Sequence, residues 1–221
     1  MTRVPSQPEL LAESAGVDAR VAAAWREWLG AMATDAEAAL AAAMAYEDLD
    51  AEDRDRWLLA LENDAPSLGV PRIAVYAPLL AVESDPERRQ RITAAIGPDE
   101  ELALPRTDPR GLSGRAGDGT RVATVVWPLY LDFVQVLACG YRPSEGFTWV
   151  RHDPIVQQDA APRPGQVLLG ALLETAPLKA LVDELAVTVL AHKRSGRALP
   201  EALKVFADLF GPLVGPAPAV P

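Results

Sequence analysis

The stretch Pro128-Leu129-Tyr130-Leu131-Asp132-Phe133-Val134-Gln135-Val136-Leu137-Ala138-Cys139-Gly140 decides how the second half of this 221-residue chain is read. Tyr130, Asp132, Val134 and Val136 alternate with Leu131, Phe133, Gln135 and Leu137, a period of two that suits a strand. Pro128 and Gly140 bracket it as they would bracket a helix, proline fitting the first turn and glycine the position just past the last. We read 129–139 as a helix. Its neighbours, 121–127 and 147–152, are rich in Val, Thr and aromatic residues and read as strands. With a helix between them they make one hairpin-like pair.

Outward from there the pattern is helical. Residues 8–31 place Leu10, Leu11, Val17, Val21, Trp25, Trp28 and Leu29 near helical spacing, with Gly16 as a point where the segment splits. Thr34-Asp35-Ala36-Glu37 has the form in which a threonine and a glutamate cap each other's amides, opening a helix that runs to Tyr46. Residues 51–63 put Trp57, Leu58 and Leu61 on one face, and Ala65-Pro66-Ser67-Leu68-Gly69 ends them. Pro78 is expected to kink or stop the apolar segment 73–82. Ser84-Asp85-Pro86-Glu87 is a second capping box, for a helix ending at Gly97-Pro98. Residues 178–194 and 200–210 complete the helices. The fold class is therefore mainly α: an irregular helical bundle with a small, hairpin-like β element in the second half. Residues 1–100 form an acidic helical region and 101–120 a flexible Gly/Pro-rich loop or linker. Residues 121–211 hold the β element and C-terminal helices, and 212–221 are a disordered tail.

Composition narrows the function classes. A chain of this length buries roughly 70% of its unfolded surface, so no metal or disulfide is needed to fold it. With one cysteine, Cys139, no internal disulfide can form. The N-terminus lacks the apolar run of a signal peptide, and no stretch of about 18 apolar residues offers a membrane span. A cytoplasmic address is expected. The 18 arginines against three lysines suggest a GC-rich, bacterial genome. Residues 1–101 carry 20 acidic and 9 basic side chains, and residues 102–221 carry 11 and 12. That field disfavours nucleic acid and anionic membrane, which bind cationic surfaces, and would attract a basic protein partner. Solubility alone also explains it.

No complete catalytic or cofactor motif occurs. Gly111, Gly114, Gly117 and Gly119 lack the preceding strand and the Gly-Lys-Ser/Thr of a phosphate loop, and read as a flexible loop. The acids from Asp48 to Asp55 lack the turn glycine and the final glutamate of a calcium loop, and read as a helix start. Cys139, His152 and His192 are the only thiol and imidazoles. Cys139 with His152 would make a nucleophile and base, Asp153 or Asp132 orienting the ring; the bland reading is a core cysteine. His152, Asp153 and His192 match no metal-ligand spacing. Trp149-Val150-Arg151-His152-Asp153-Pro154 reads as a strand end carrying function, or as a surface turn. Trp25, Trp28, Trp57 and Tyr46 read as core aromatics. The expected function is that of an intracellular accessory or adaptor protein, non-enzymatic, acting through a protein interface on its acidic helical half. The alternatives are a small hydrolase or transferase using His152, Asp153 and Cys139, and an acidic neutraliser of a basic protein.

Overall fold

The computed structural model describes residues 7–97, 107–206 and 209. The chain divides into two compact units, Met1–Ala103 and Leu104–Pro221.

The first unit is helical: α1 (Gln7–Ala31), α2 (Ala36–Glu47), α3 (Ala51–Asp64), α4 (Arg72–Val82) and α5 (Pro86–Ile96). α1 runs on through Gly16 without a break. The helix starts at α2 and α5 are capped one residue later than the Thr34 and Ser84 boxes imply. Asp35 accepts the Glu37 amide at 2.8 Å, and Asp85 accepts the Arg88 amide at 2.9 Å. α4 continues past Pro78, which is buried. The missing proline hydrogen bond, worth about 3 kcal/mol in a helix interior, is offset by burial of the apolar face it belongs to. The small buried side chains Ala39, Ala42 and Ala43 let α2 pack closely against α4. Trp25, Trp28 and Trp57 meet edge to face at 5.1–5.9 Å and are half-buried, while Tyr46 beside Trp57 lies in the core.

A buried ion cluster ties this unit together. The Glu83 side chain, at the end of α4, is 0% exposed and lies beside Arg54 and Arg88. It accepts bonds from Tyr46 Oη at 2.7 Å, Arg88 Nε at 2.7 Å and the Asp85 amide at 2.8 Å. Burial opposes its charge, but the bonds from Arg88, Asp85 and Tyr46 outweigh that and hold the carboxyl at about 2.

The second unit overturns the mainly helical reading. β1 (Arg110–Arg115), β2 (Arg121–Pro128), β3 (Phe133–Arg142) and β4 (Gly146–Gln157) form an antiparallel meander. A separate hairpin, β5 (Val167–Leu168) and β6 (Ala171–Leu172), follows. β7 (Glu174–Ala176) then returns to pair with β1, giving a five-stranded sheet ordered β4-β3-β2-β1-β7. One face is covered by α6 (Leu178–Arg194) and a 3-10 helix at Glu201–Phe206. α6 has the bounds its apolar period implies; of the expected helix 200–210, Glu201–Phe206 take the tighter 3-10 form, and the tail 212–221 lies outside the described residues.

The stretch read as a helix is thus a turn and a central strand. Pro128 ends β2, Leu131 reverses the chain at φ 51°, and the Phe133 amide bonds to Tyr130 O at 3.0 Å. β3 is paired on both edges and buried on both faces, so its sequence is a nearly unbroken apolar run. An apolar run of this kind fits a buried helix as well as a strand, and the bracketing Pro and Gly, set above its period of two, tip the reading the wrong way. The stretch read as a Gly/Pro loop contains β1. Leu137, Cys139 and Tyr141 on one face pack with Leu181, Leu185 and Val189 of α6. The opposite face carries two smaller clusters, Leu112 with Val122, Ala171 and Leu173, and Val126 with Val134, Val136 and Ala161.

Candidate functional site

The predicted catalytic residues occupy β3 and β4. Cys139 is buried, paired with Val150 and turned toward α6. Burial pushes its thiol up to about 12. His152, paired with Leu137, lies on the same face, its ring edge-on to Phe206 at 5.4 Å. Burial lowers its pKa, with Asp153 opposing. An activated Cys-His pair needs the reverse, a thiol lowered and an imidazole kept protonated. Asp153, one residue on, projects to the other face of the strand and accepts Arg151 Nε at 2.8 Å. The structure therefore places His152 and Cys139 on one face and Asp153 on the other, which denies the ring its orienting carboxylate.

His192 is a clamp. Its Nδ1 accepts the Phe147 amide at 3.1 Å, so Nε2 carries the proton and donates to Ala198 O at 3.0 Å. Both nitrogens are engaged. Among the described residues no group of three His, Cys, Asp or Glu side chains could hold a metal ion.

The Arg151-His152-Asp153-Pro154 segment lies within β4 and not at its end. β4 is an edge strand, bulged where Val134 and Val136 pair with Val156 and Asp153, and again beside Tyr141. Bulges, charges and a proline are the devices that keep an edge from recruiting another strand. His152 Nε2 is buried without a partner. His152→Leu is therefore expected to leave stability unchanged or raise it by up to about 1–3 kcal/mol. A lowered histidine pKa weakens folding as pH falls below about 6.5, because the unfolded chain takes up the proton first. Urea denaturation at pH 5.5 and 7.5 checks both points: the variant loses that part of the pH dependence.

A different constellation emerges on the sheet face opposite α6. Gly114, Val122, Gly140 and Trp149 stand in one cross-strand row through β1, β2, β3 and β4. A Cβ on Gly114 would lie 2.4 Å from the backbone oxygen of Leu172, and one on Gly140 would lie 2.1 Å from Trp149 Nε1. The hairpin backbone therefore rests on one glycine and the indole on the other. Between them is a cleft of about 480 Å³ lined by Val122, Trp149, Leu169, Thr148, Asp118 and Arg142. Neither glycine serves a phosphate loop; Gly114 serves close approach.

The two charges in the cleft differ in how they are used. Asp118 accepts the Thr120 amide and hydroxyl, each at 2.9 Å, and these bonds hold its carboxyl below the usual range. Arg142 is 42% exposed and reaches Glu145 at 3.5 Å and Asp118 at 4.0 Å, both longer than a close ion-paired hydrogen bond.

The cleft wall is the tip of the β5–β6 hairpin. Its two-residue turn, Leu169-Gly170, has φ of 46° and 82°, the positive values that normally select Asn-Gly. A leucine there costs about 1–2 kcal/mol relative to a residue that tolerates the left-handed region. Val167, Leu169 and Leu172 are 69%, 66% and 52% exposed. Sequence reading singled out the segment that begins at Trp149 but assigned its polar residues, and gave the hairpin no role. The available signal was the Leu-Gly pair between two short apolar runs. Comparisons with protein-family models, with curated proteins and with solved structures return no match for this chain.

Proposed function

We propose that this is a non-catalytic interaction protein that docks a partner protein on its second unit, through the β5–β6 hairpin and the Trp149 cleft. The observation that carries the reading is the exposure of Val167, Leu169 and Leu172 around a turn whose leucine is held at positive φ. Exposed apolar side chains clustered on one element mark interaction surfaces, and local strain that a different residue would relieve is found where function requires that side chain. The burial of Cys139 and the separation of His152 from Asp153 support a reading without catalysis around them. The acidic first unit uses many of its arginines internally, as in Arg91 with Glu62 and Arg88 with Glu83, and its surplus negative charge serves solubility and long-range steering.

The double variant Val167→Asp/Leu172→Asp tests this by affinity capture from native lysate. Both side chains are exposed, so the melting temperature should stay within a degree or two while the stoichiometric partner retained by the unaltered protein is lost. Retention of the same partner by the variant would sink the proposal.

A further inference from the structure

We infer that the polar cleft between the β2–β3 turn and the loop after β4 binds a free α-amino acid with a polar side chain, its carboxylate on Arg110 and its ammonium on Asp132 and Asp159. The site lies within the second unit and goes beyond the docking reading, on which it does not rest. The cleft, of about 450 Å³, is lined by Arg110, Asp132, Gln157, Gln158, Asp159 and Arg163, and by no apolar side chain. Backbone fixes its frame. Arg110 opens β1 and pairs with Val126. Asp132 follows Leu131, held at φ 51°, and its carbonyl accepts the Gln158 amide at 2.9 Å. The Ala160 and Ala161 amides close on Gln157 O at 3.0 and 3.1 Å, and the turn they make carries Asp159.

The charges select the ligand. Arg163 closes its own loop by donating to the Asp159 backbone carbonyl. Arg110 makes a single hydrogen bond among the described residues, Nη2 to Pro162 O at 3.4 Å, and its buried Nε has no partner. Asp132 and Asp159 are exposed, and neither carboxylate is hydrogen-bonded or ion-paired among the described residues. Two charges of each sign thus share one cleft without neutralising one another, and an under-bonded buried guanidinium marks a place where the protein itself does not supply the acceptor. An anion alone would be repelled by Asp132 and Asp159, and a cation alone by Arg110 and Arg163. A zwitterion sets each of its charges against the opposite one, the planar guanidinium taking the carboxylate. The volume is at the lower end of small-molecule sites, enough for one amino acid, and walls of amide and charge match a polar side chain.

The test uses the full chain with serine, asparagine and glutamine, each as the free amino acid, the N-acetyl derivative and the C-terminal amide, and with free leucine. The backbone amide signals of residues 132, 158 and 159 are followed by NMR during titration. At least one of the three polar amino acids should shift them saturably, while leucine and the two derivatives of that amino acid, each lacking one charge, bind tenfold or more weakly. Asp132→Asn/Asp159→Asn, at two exposed positions, should erase the preference over the acetylated form, and Arg110→Gln the preference over the amide. Arg110 is part-buried, so if that variant loses its folded spectrum the asparagine variant decides alone. The inference is overturned if no polar amino acid gives a saturable shift, if leucine or a singly charged derivative binds as well, or if the asparagine variant keeps the full preference.

Discussion

Glu83→Gln is expected to destabilise the helical unit by about 3–5 kcal/mol, the usual consequence of removing one partner from a buried ion cluster. The glutamine keeps the shape but not the charge. Arg54 and Arg88, 15% and 18% exposed, would then face each other's field without a counter-ion. Glutamine also places an NH2 group where the carboxylate accepts from Tyr46, Arg88 or the Asp85 amide. The pH dependence gives an independent signature. A carboxyl held at about 2 when folded, against an unfolded value near 4.5, stabilises the fold fully above that unfolded value. The contribution, about 3 kcal/mol, drains away as pH falls toward 2. Denaturant titrations followed by helical circular dichroism from pH 7 to pH 2.5 should show this loss in the unaltered chain and its absence in Glu83→Gln. A variant that retains the full acid sensitivity would assign it to other carboxylates.

Gly114→Ala should have the second largest effect, and on a different property. The new methyl would meet the Leu172 carbonyl at 2.4 Å and the Ala171 Cβ at 3.2 Å. Backbone cannot step aside as a side chain can, so the hairpin must lift from β1. Overpacking of this kind costs about 1–3 kcal/mol. The consequence for function exceeds the consequence for folding, because the lifted hairpin carries Leu169 away from Trp149 and opens the cleft. Partner capture should fall at least tenfold, while urea denaturation registers only the modest loss of stability. Unaltered capture with the expected destabilisation would show that hairpin position is irrelevant to binding.

These sites differ in how far the sequence reveals them. The α6 boundaries were legible because Leu181, Leu185, Thr188 and His192 keep one helical stripe, all buried. β3 was not, because a strand buried on both faces is apolar throughout, so its period of two does not separate a polar from an apolar face and the flanking Pro128 and Gly140 decided for a helix. β1, Arg-Gly-Leu-Ser-Gly-Arg, was missed because its two glycines read as loop punctuation. Their role appears only once pairing places Gly114 under the hairpin and Gly111 under Leu181 of α6. The same dependence on register hid the cleft, since Gly140 and Trp149 are partners across strands whose bulged pairing no local pattern encodes. Scarcity drew attention to His152, Cys139 and His192. Two pack in the sheet core and the third holds its two bonds as a clamp.

The most direct test of the docking surface is site-specific photo-crosslinking in the native cell, with benzoylphenylalanine introduced singly at Val167, at His152 and at Asp53. Position 167 samples the hairpin, 152 the sheet face under α6 and 53 the acidic helical face. The docking account predicts a discrete protein adduct from position 167 and none from the other two. An adduct from position 53 with none from 167 would return the interface to the acidic helices and contradict it.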